Sequence, residues 1–203
     1  MKKIFFLMCL YFFIFSGAFP VLAEDSGRGV SIGVNIGSFP IARTLDSYRL
    51  GVEFGFQFTE TVGIKGETAY AFTSSSYETK TVASSLSGKT TYTCIPVSAS
   101  LLFSTPVGEK FSAFIGIGLG HYSTTTKEYQ DGSETDTDKI KGFAPHVSIG
   151  IESAVSSRIA VIGEVKQIVG KAKWRDTEGI YSMEGDVHIG GTELKIGVRL
   201  YFK

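Results

Sequence analysis

Residues 190–203 read GGTELKIGVRLYFK. In an extended strand Leu194, Ile196, Val198, Leu200 and Phe202 fall on one face and Glu193, Lys195, Gly197, Arg199 and Tyr201 on the other, because successive side chains point to opposite sides. A strand half-buried in any sheet has this pattern. The run therefore fixes its own conformation and leaves open whether the apolar row meets a protein core or lipid.

The same period of two recurs along the chain. Val30, Ile32, Val34 and Ile36 alternate with Ser31, Gly33, Asn35 and Gly37, and Leu50, Val52, Phe54, Phe56 and Phe58 alternate with Gly51, Glu53, Gly55 and Gln57. Further rows run from Val62 through Ile64 to Tyr70 and Phe72, from Ile95 to Phe103, along FSAFIGIGLGHY, from Phe143 to Ile151, and from Ile159 to Val165. With the C-terminal run this predicts eight strands. Beyond the N-terminus there is no apolar period of 3.6 and no long apolar run, which excludes a helical membrane protein.

The connections alternate in length. TET, TPVGEK and VSSR are tight turns after the second, fourth and sixth strands, whereas longer polar segments, 38–47, 74–89, 124–139 and 170–191, follow the odd-numbered ones and are expected to be loops. Short turns at one end and elaborate connections at the other are the asymmetry of a transmembrane β-barrel.

The N-terminus, MKKIFFLMCLYFFIFSGAFPVLA, places Lys2 and Lys3 before an apolar run from Ile4 to Phe15. A signal peptide over 1–23, with cleavage after Ala23, is expected, and it leaves a barrel domain over 24–203. Removal of Lys2 and Lys3 from twenty basic residues leaves eighteen against twenty acidic, a balance that gives no electrostatic basis for nucleic-acid binding. Cys94 is then the only remaining cysteine, so no internal disulfide supports the fold.

Two observations assign the apolar rows to lipid. The polar face carries Arg49, Lys65, Lys166, Lys195 and Arg199 against Glu53, Glu67, Glu152, Glu164 and Glu193, five of each sign, interleaved with glycines such as Gly33, Gly51, Gly118 and Gly150. Glycine weakens a solvated strand unless something must approach its backbone closely. Balanced charges in a narrow lumen can pair, and a lumen lined this way also needs the small residues. Aromatics, Phe39, Tyr48, Phe58, Tyr70, Phe72, Phe103, Phe111, Phe143 and Phe202, fall near strand ends, as in the girdles of membrane barrels. The fold class expected is therefore all-β, an eight-stranded antiparallel up-and-down transmembrane barrel.

At this point the chain resembles the small eight-stranded outer-membrane proteins, the opacity/OmpX-like and OmpA transmembrane-domain families. The resemblance spans the mature length through pattern, and is most specific in the last strand, whose apolar residues step back by twos from Phe202. It implies location in the bacterial outer membrane, contact with lipid and lipopolysaccharide, and recognition by the outer-membrane assembly machinery, with Lys203 departing from the usual terminal aromatic.

No cofactor or metal is implied. His121, His146 and His188 lack paired ligand spacing, and DGSETDTDK lacks the terminal bidentate Glu of a calcium loop. His146, Ser148 and Glu152 share a strand face and invite an acyl-transfer reading in which the protein modifies lipid A, but their register points them into the lumen. Lys171, Lys173, Trp174 and Arg175 form a basic stretch with one aromatic, a candidate surface contact for lipopolysaccharide phosphates or a host ligand. The expected function is a non-catalytic envelope barrel acting through its surface loops, with an adhesin or complement-evasion module as the alternative.

Overall fold

The computed structural model describes residues 29–40, 47–80, 85–176 and 183–202; within these, only the backbone is described for 77–80, 85–86, 171–176 and 183–189. The expected signal segment and Lys203 lie outside the described residues. Eight strands run in order: β1 Gly29–Ser38, β2 Tyr48–Gln57, β3 Val62–Lys80, β4 Ser85–Pro106, β5 Phe111–Gln130, β6 Ser133–Ala154, β7 Ile159–Asp176 and β8 Met183–Phe202. Each pairs antiparallel with its chain neighbours, and β1 closes on β8 from Val30 opposite Phe202 to Ser38 opposite Leu194. No backbone edge is left along the barrel wall, which answers the edge problem of any sheet.

Burial inverts the usual order. In β8, Glu193, Lys195 and Arg199 are 7% exposed or less, whereas Leu194, Ile196, Val198, Leu200 and Phe202 keep 44–56% of their surface. The other strands repeat this, with Ile36, Leu50, Ile64, Val97, Ile117, Ile149 and Val161 outward. A continuous apolar belt around a closed barrel is far larger than a water-soluble monomer exposes. Lipid is the solvent that such a surface requires. Between Phe143 and Ser153, ten residues on at about 3.3 Å each and tilted by roughly 40°, the belt is about 25 Å tall, the height of an outer-membrane apolar band.

Aromatics border the belt. Tyr48, Tyr70, Phe72 and Phe143 face outward towards one end, and Phe58, Phe103, Phe111 and Phe202 towards the end with the chain termini and tight turns. Phe39 departs from the expected girdle. It is 4% exposed and turns inward, where its ring lies 5.9 Å from that of Tyr122 and its N–H donates to the Ser47 hydroxyl.

The larger correction concerns the long connections. Segments expected as loops are strands that continue past the barrel: β3 and β4 pair out to Lys80 opposite Ser85, β5 and β6 to Gln130 opposite Ser133, and β7 and β8 to Asp176 opposite Met183. The β5–β6 hairpin turns on Asp131 and Gly132, both at positive φ (50° and 84°), the pair of left-handed residues that a tight hairpin demands. Asp-Gly supplies them, and the Thr-rich flanks favour the extended state. β6 and β7 separate above His146 opposite Ile168, while β4 stays paired with β5 as far as Gly88 opposite Gln130. The wall thus divides into a four-stranded wing, β3–β6, and a two-stranded wing, β7–β8.

Pro96 in β4 and Pro145 in β6 sit where a ladder has a gap. Pro145 directly precedes the last β6–β7 pair, and the β3–β4 ladder skips Ala69, Tyr70, Ile95 and Pro96 without a change of register. A residue with no N–H is tolerated where no partner needs it.

Candidate functional site

The lumen is filled in three levels. Nearest the termini, Leu102, Phe114 and Ile162 form a small apolar cluster. Beneath the wings, Phe39, Ala71, Cys94, Tyr122, Ala144 and Ile168 pack together, with Tyr92 against them. Ionic side chains occupy the space between.

Those ions form two groups. In the larger, Glu67 is the hub: its Oε1 accepts from Arg49, and its Oε2 lies 3.2 Å from Lys166 Nζ, 3.8 Å from Lys65 Nζ and in close contact with Lys195. Glu164 accepts from Lys65 at 2.5 Å and Lys195 at 3.1 Å, while Glu193 pairs with Arg49 and lies 3.7 Å from Lys166. Four cations here meet three carboxylates. In the smaller group Arg199 binds Glu53 at 2.6 Å and Glu152 at 2.7 Å, and two carboxylates meet one cation. The excess of one sign is offset by the other, as confined charges must be if neither is to be stranded in a low dielectric.

The structure therefore brings the ten residues of the polar row into these two groups. Nine are buried, and the Glu152 side chain, near the turn end, keeps 15% of its surface. The C-terminal strand links the lumen across its width: Glu193, Lys195 and Arg199 reach partners on β2, β3, β6 and β7. Asn35 and Tyr201 belong to the same network but were not singled out from sequence. Tyr201 donates to Glu152 at 2.5 Å and accepts from Arg199 at 3.2 Å, and Asn35 donates to Glu53 at 3.5 Å. Their places on the polar rows were the available signal.

Two of the luminal glycines show what the close approach requires. A Cβ on Gly51 would stand 2.6 Å from the Arg49 guanidinium, and one on Gly118 would run into the Ala99 carbonyl and stand 2.6 Å from His146 Nε2. Gly51 gives up a side chain to the Arg49 guanidinium, and Gly118 to both the neighbouring strand's backbone and the imidazole.

His146 and Ser148 are 3% and 4% exposed and face the lumen. His146 Nε2 lies 2.8 Å from Ser100 Oγ, not from Ser148, whose hydroxyl has no partner among the described residues. No described carboxylate pairs with the imidazole, and the serines lie on the opposite side of the wall from lipid. This geometry does not assemble a nucleophile, base and orienting acid open to a lipid substrate.

Outside the lumen, the backbone of Lys171, Lys173, Trp174 and Arg175 belongs to β7, opposite His188, Asp186, Gly185 and Glu184. Their side chains lie outside the described residues. On the other wing Lys127 donates to Glu134 at 2.6 Å; this hydrogen bond raises the Lys127 ammonium pKa, and with a second from Thr137 it lowers that of Glu134.

The profile of one family, described as the outer membrane protein beta-barrel domain, matches residues 9–202. Among solved structures, Neisserial surface protein A is 14% identical with a TM-score of 0.57, over 88% of this chain and 100% of its own. OprG from Pseudomonas aeruginosa is 13% identical with a TM-score of 0.57, over 88% and 97%. The N-terminal barrel domain of Pseudomonas aeruginosa OprF is 13% identical with a TM-score of 0.53, over 88% and 100%. At these identities the likeness is one of fold. No curated protein matches the sequence.

Proposed function

Because the chain belongs to the outer membrane protein beta-barrel domain family and so resides in the bacterial outer membrane, we propose that it is a non-catalytic surface-display barrel, exported by cleavage after Ala23. The ion network and the two apolar clusters fill the lumen, which supports a supporting wall rather than a conduit. What the molecule offers to its surroundings is the pair of wings. The observation that carries this reading is the pairing of β5 with β6 out to the Asp131–Gly132 turn, because rigid paired strands present a surface at low ordering cost.

Adhesion, or capture of a host factor, is the activity that such a surface serves best. The acyl-transfer reading has against it the inward orientation of His146 and Ser148. The test is a chain in which 127–137 is replaced by Asn-Gly between the paired Thr126 and Asp138, compared with the full chain and a null strain in host-cell adhesion and serum survival. The trimmed barrel is expected to insert normally and behave like the null strain in both assays. Full activity from the trimmed chain would refute display through this wing.

A further inference from the structure

We infer that the outward face of the β5–β6 wing holds a binding site for the phosphorylated headgroup of outer-leaflet lipopolysaccharide, formed by Lys139 and Lys141. The inference rests on the outer-membrane reading above. It starts from the stretch DTDKIK, 136–141, which reads in sequence as a mixed, nearly neutral run. In β6 it is two-faced. Asp136, Asp138 and Ile140 lie on the same side as the buried Ala144 and His146, and Thr137, Lys139 and Lys141 on the same side as the exposed Phe143, Val147 and Ile149.

The acids thus face the barrel axis and the lysines face away from it. Glu128, opposite Asp136 on β5, adds a third carboxylate to the axial side. A merely solvated hairpin has no need to sort its charges this way. On the outward side, Lys127 higher up is already neutralised by Glu134, and Thr135 is the extra residue of the bulge that brings Glu134 to this face. Lys139 and Lys141 are exposed, and no described carboxylate lies within ion-pairing distance of either.

Position supplies the occupant. Phe143, its ring tilted against that of His121 at 4.9 Å, marks the upper edge of the apolar belt. Lys141 precedes it by two residues, about 7 Å up the strand, and Lys139 lies a further 7 Å or so up. That is the depth at which the headgroups of the outer leaflet begin, and those of lipopolysaccharide carry phosphates. The cross-strand neighbours Ser123 and Thr125, opposite Lys141 and Lys139, add hydroxyl donors on the same face. An ammonium on a flexible stem can reach down or up to a phosphate while its methylenes lie on the strand.

The experiment uses the folded full barrel in neutral maltoside micelles, titrated with fluorescent diphosphorylated lipid A and with its dephosphorylated counterpart. The wild-type protein should prefer the phosphorylated form. At about 1 kcal/mol for each lysine near an anionic surface, Lys141→Gln should weaken binding of the phosphorylated form about fivefold, and Lys139→Gln with Lys141→Gln about 25-fold. Neither should alter binding of the dephosphorylated form. Asp136→Asn with Asp138→Asn, on the axial face, should leave the preference intact.

A double lysine variant that keeps the full phosphate preference overturns the site, as does a wild-type protein with none. Mobility on gels before and after boiling, read on the same samples, reports the barrel separately: a heat-shifted protein without phosphate preference sinks this inference alone. Should the double variant fail to fold, Lys141→Gln by itself decides, and binding equal to wild type refutes the site.

Discussion

Glu67 touches four cations, Arg49, Lys65, Lys166 and Lys195, from a position 6% exposed. Removal of its charge leaves those four facing only Glu164 and Glu193 in a region with little water. Glu67→Gln is expected to destabilise the barrel by about 3–5 kcal/mol, the cost of stranding a buried ion. The urea midpoint for loss of heat-modifiable mobility in refolded protein measures this. Adding Lys166→Met should recover part of the loss, because it removes one of the stranded cations; a double variant less stable than Glu67→Gln would contradict the hub assignment. This also marks what was legible at the residue scale. Alternation assigns every one of the ten charges to the polar face, since parity along a strand is local. Which carboxylate meets which cation depends on strand stagger and on reach across the lumen, as in Lys65 to Glu164 or Arg199 to Glu53, and no local pattern encodes that.

At the scale of the element, strand identity was readable wherever one row is apolar and the other is not. It failed beyond the belt, where both faces of β3–β6 meet water and the hydrophobic signal vanishes. Residues 124–139 are polar in every position but one, so only the Asp-Gly turn and the β-branched threonines hint at a hairpin. Phe39 failed for a different reason: it directly follows β1, and its inward turn is fixed by Ser47 and Tyr122, neither of which is local. The outward row itself makes a sharp prediction. Ile149 lies near mid-belt and is 60% exposed, so Ile149→Lys places an ammonium in hydrocarbon and should cost about 2–4 kcal/mol. The same substitution at Thr137, above the belt on the same face of β6, loses only an exposed hydrogen bond to Glu134 and should cost no more than about 0.5 kcal/mol. Equal urea midpoints for Ile149→Lys and wild type in phospholipid vesicles would mean that this face does not meet lipid.

For the whole molecule, the deciding property is that the lumen is filled at three levels. An eight-stranded barrel has an interior just wide enough for side chains, and here Phe114 and its neighbours, the ion network and the Tyr122 cluster occupy it at successive levels. The closures differ in kind, so no single condition opens all of them: salt screens charges but not apolar contacts, and truncation of one ring leaves the ions in place. Wild-type protein in planar phospholipid bilayers should accordingly give no step of porin-size conductance at low or high salt. Phe114→Ala combined with Tyr122→Ala should still give none, because Arg49, Glu67, Lys195 and Glu164 remain linked across the middle. Porin-size steps from the wild-type barrel would show that the network parts on insertion, and would overturn the proposal that the wings serve display, making them the mouth of a channel.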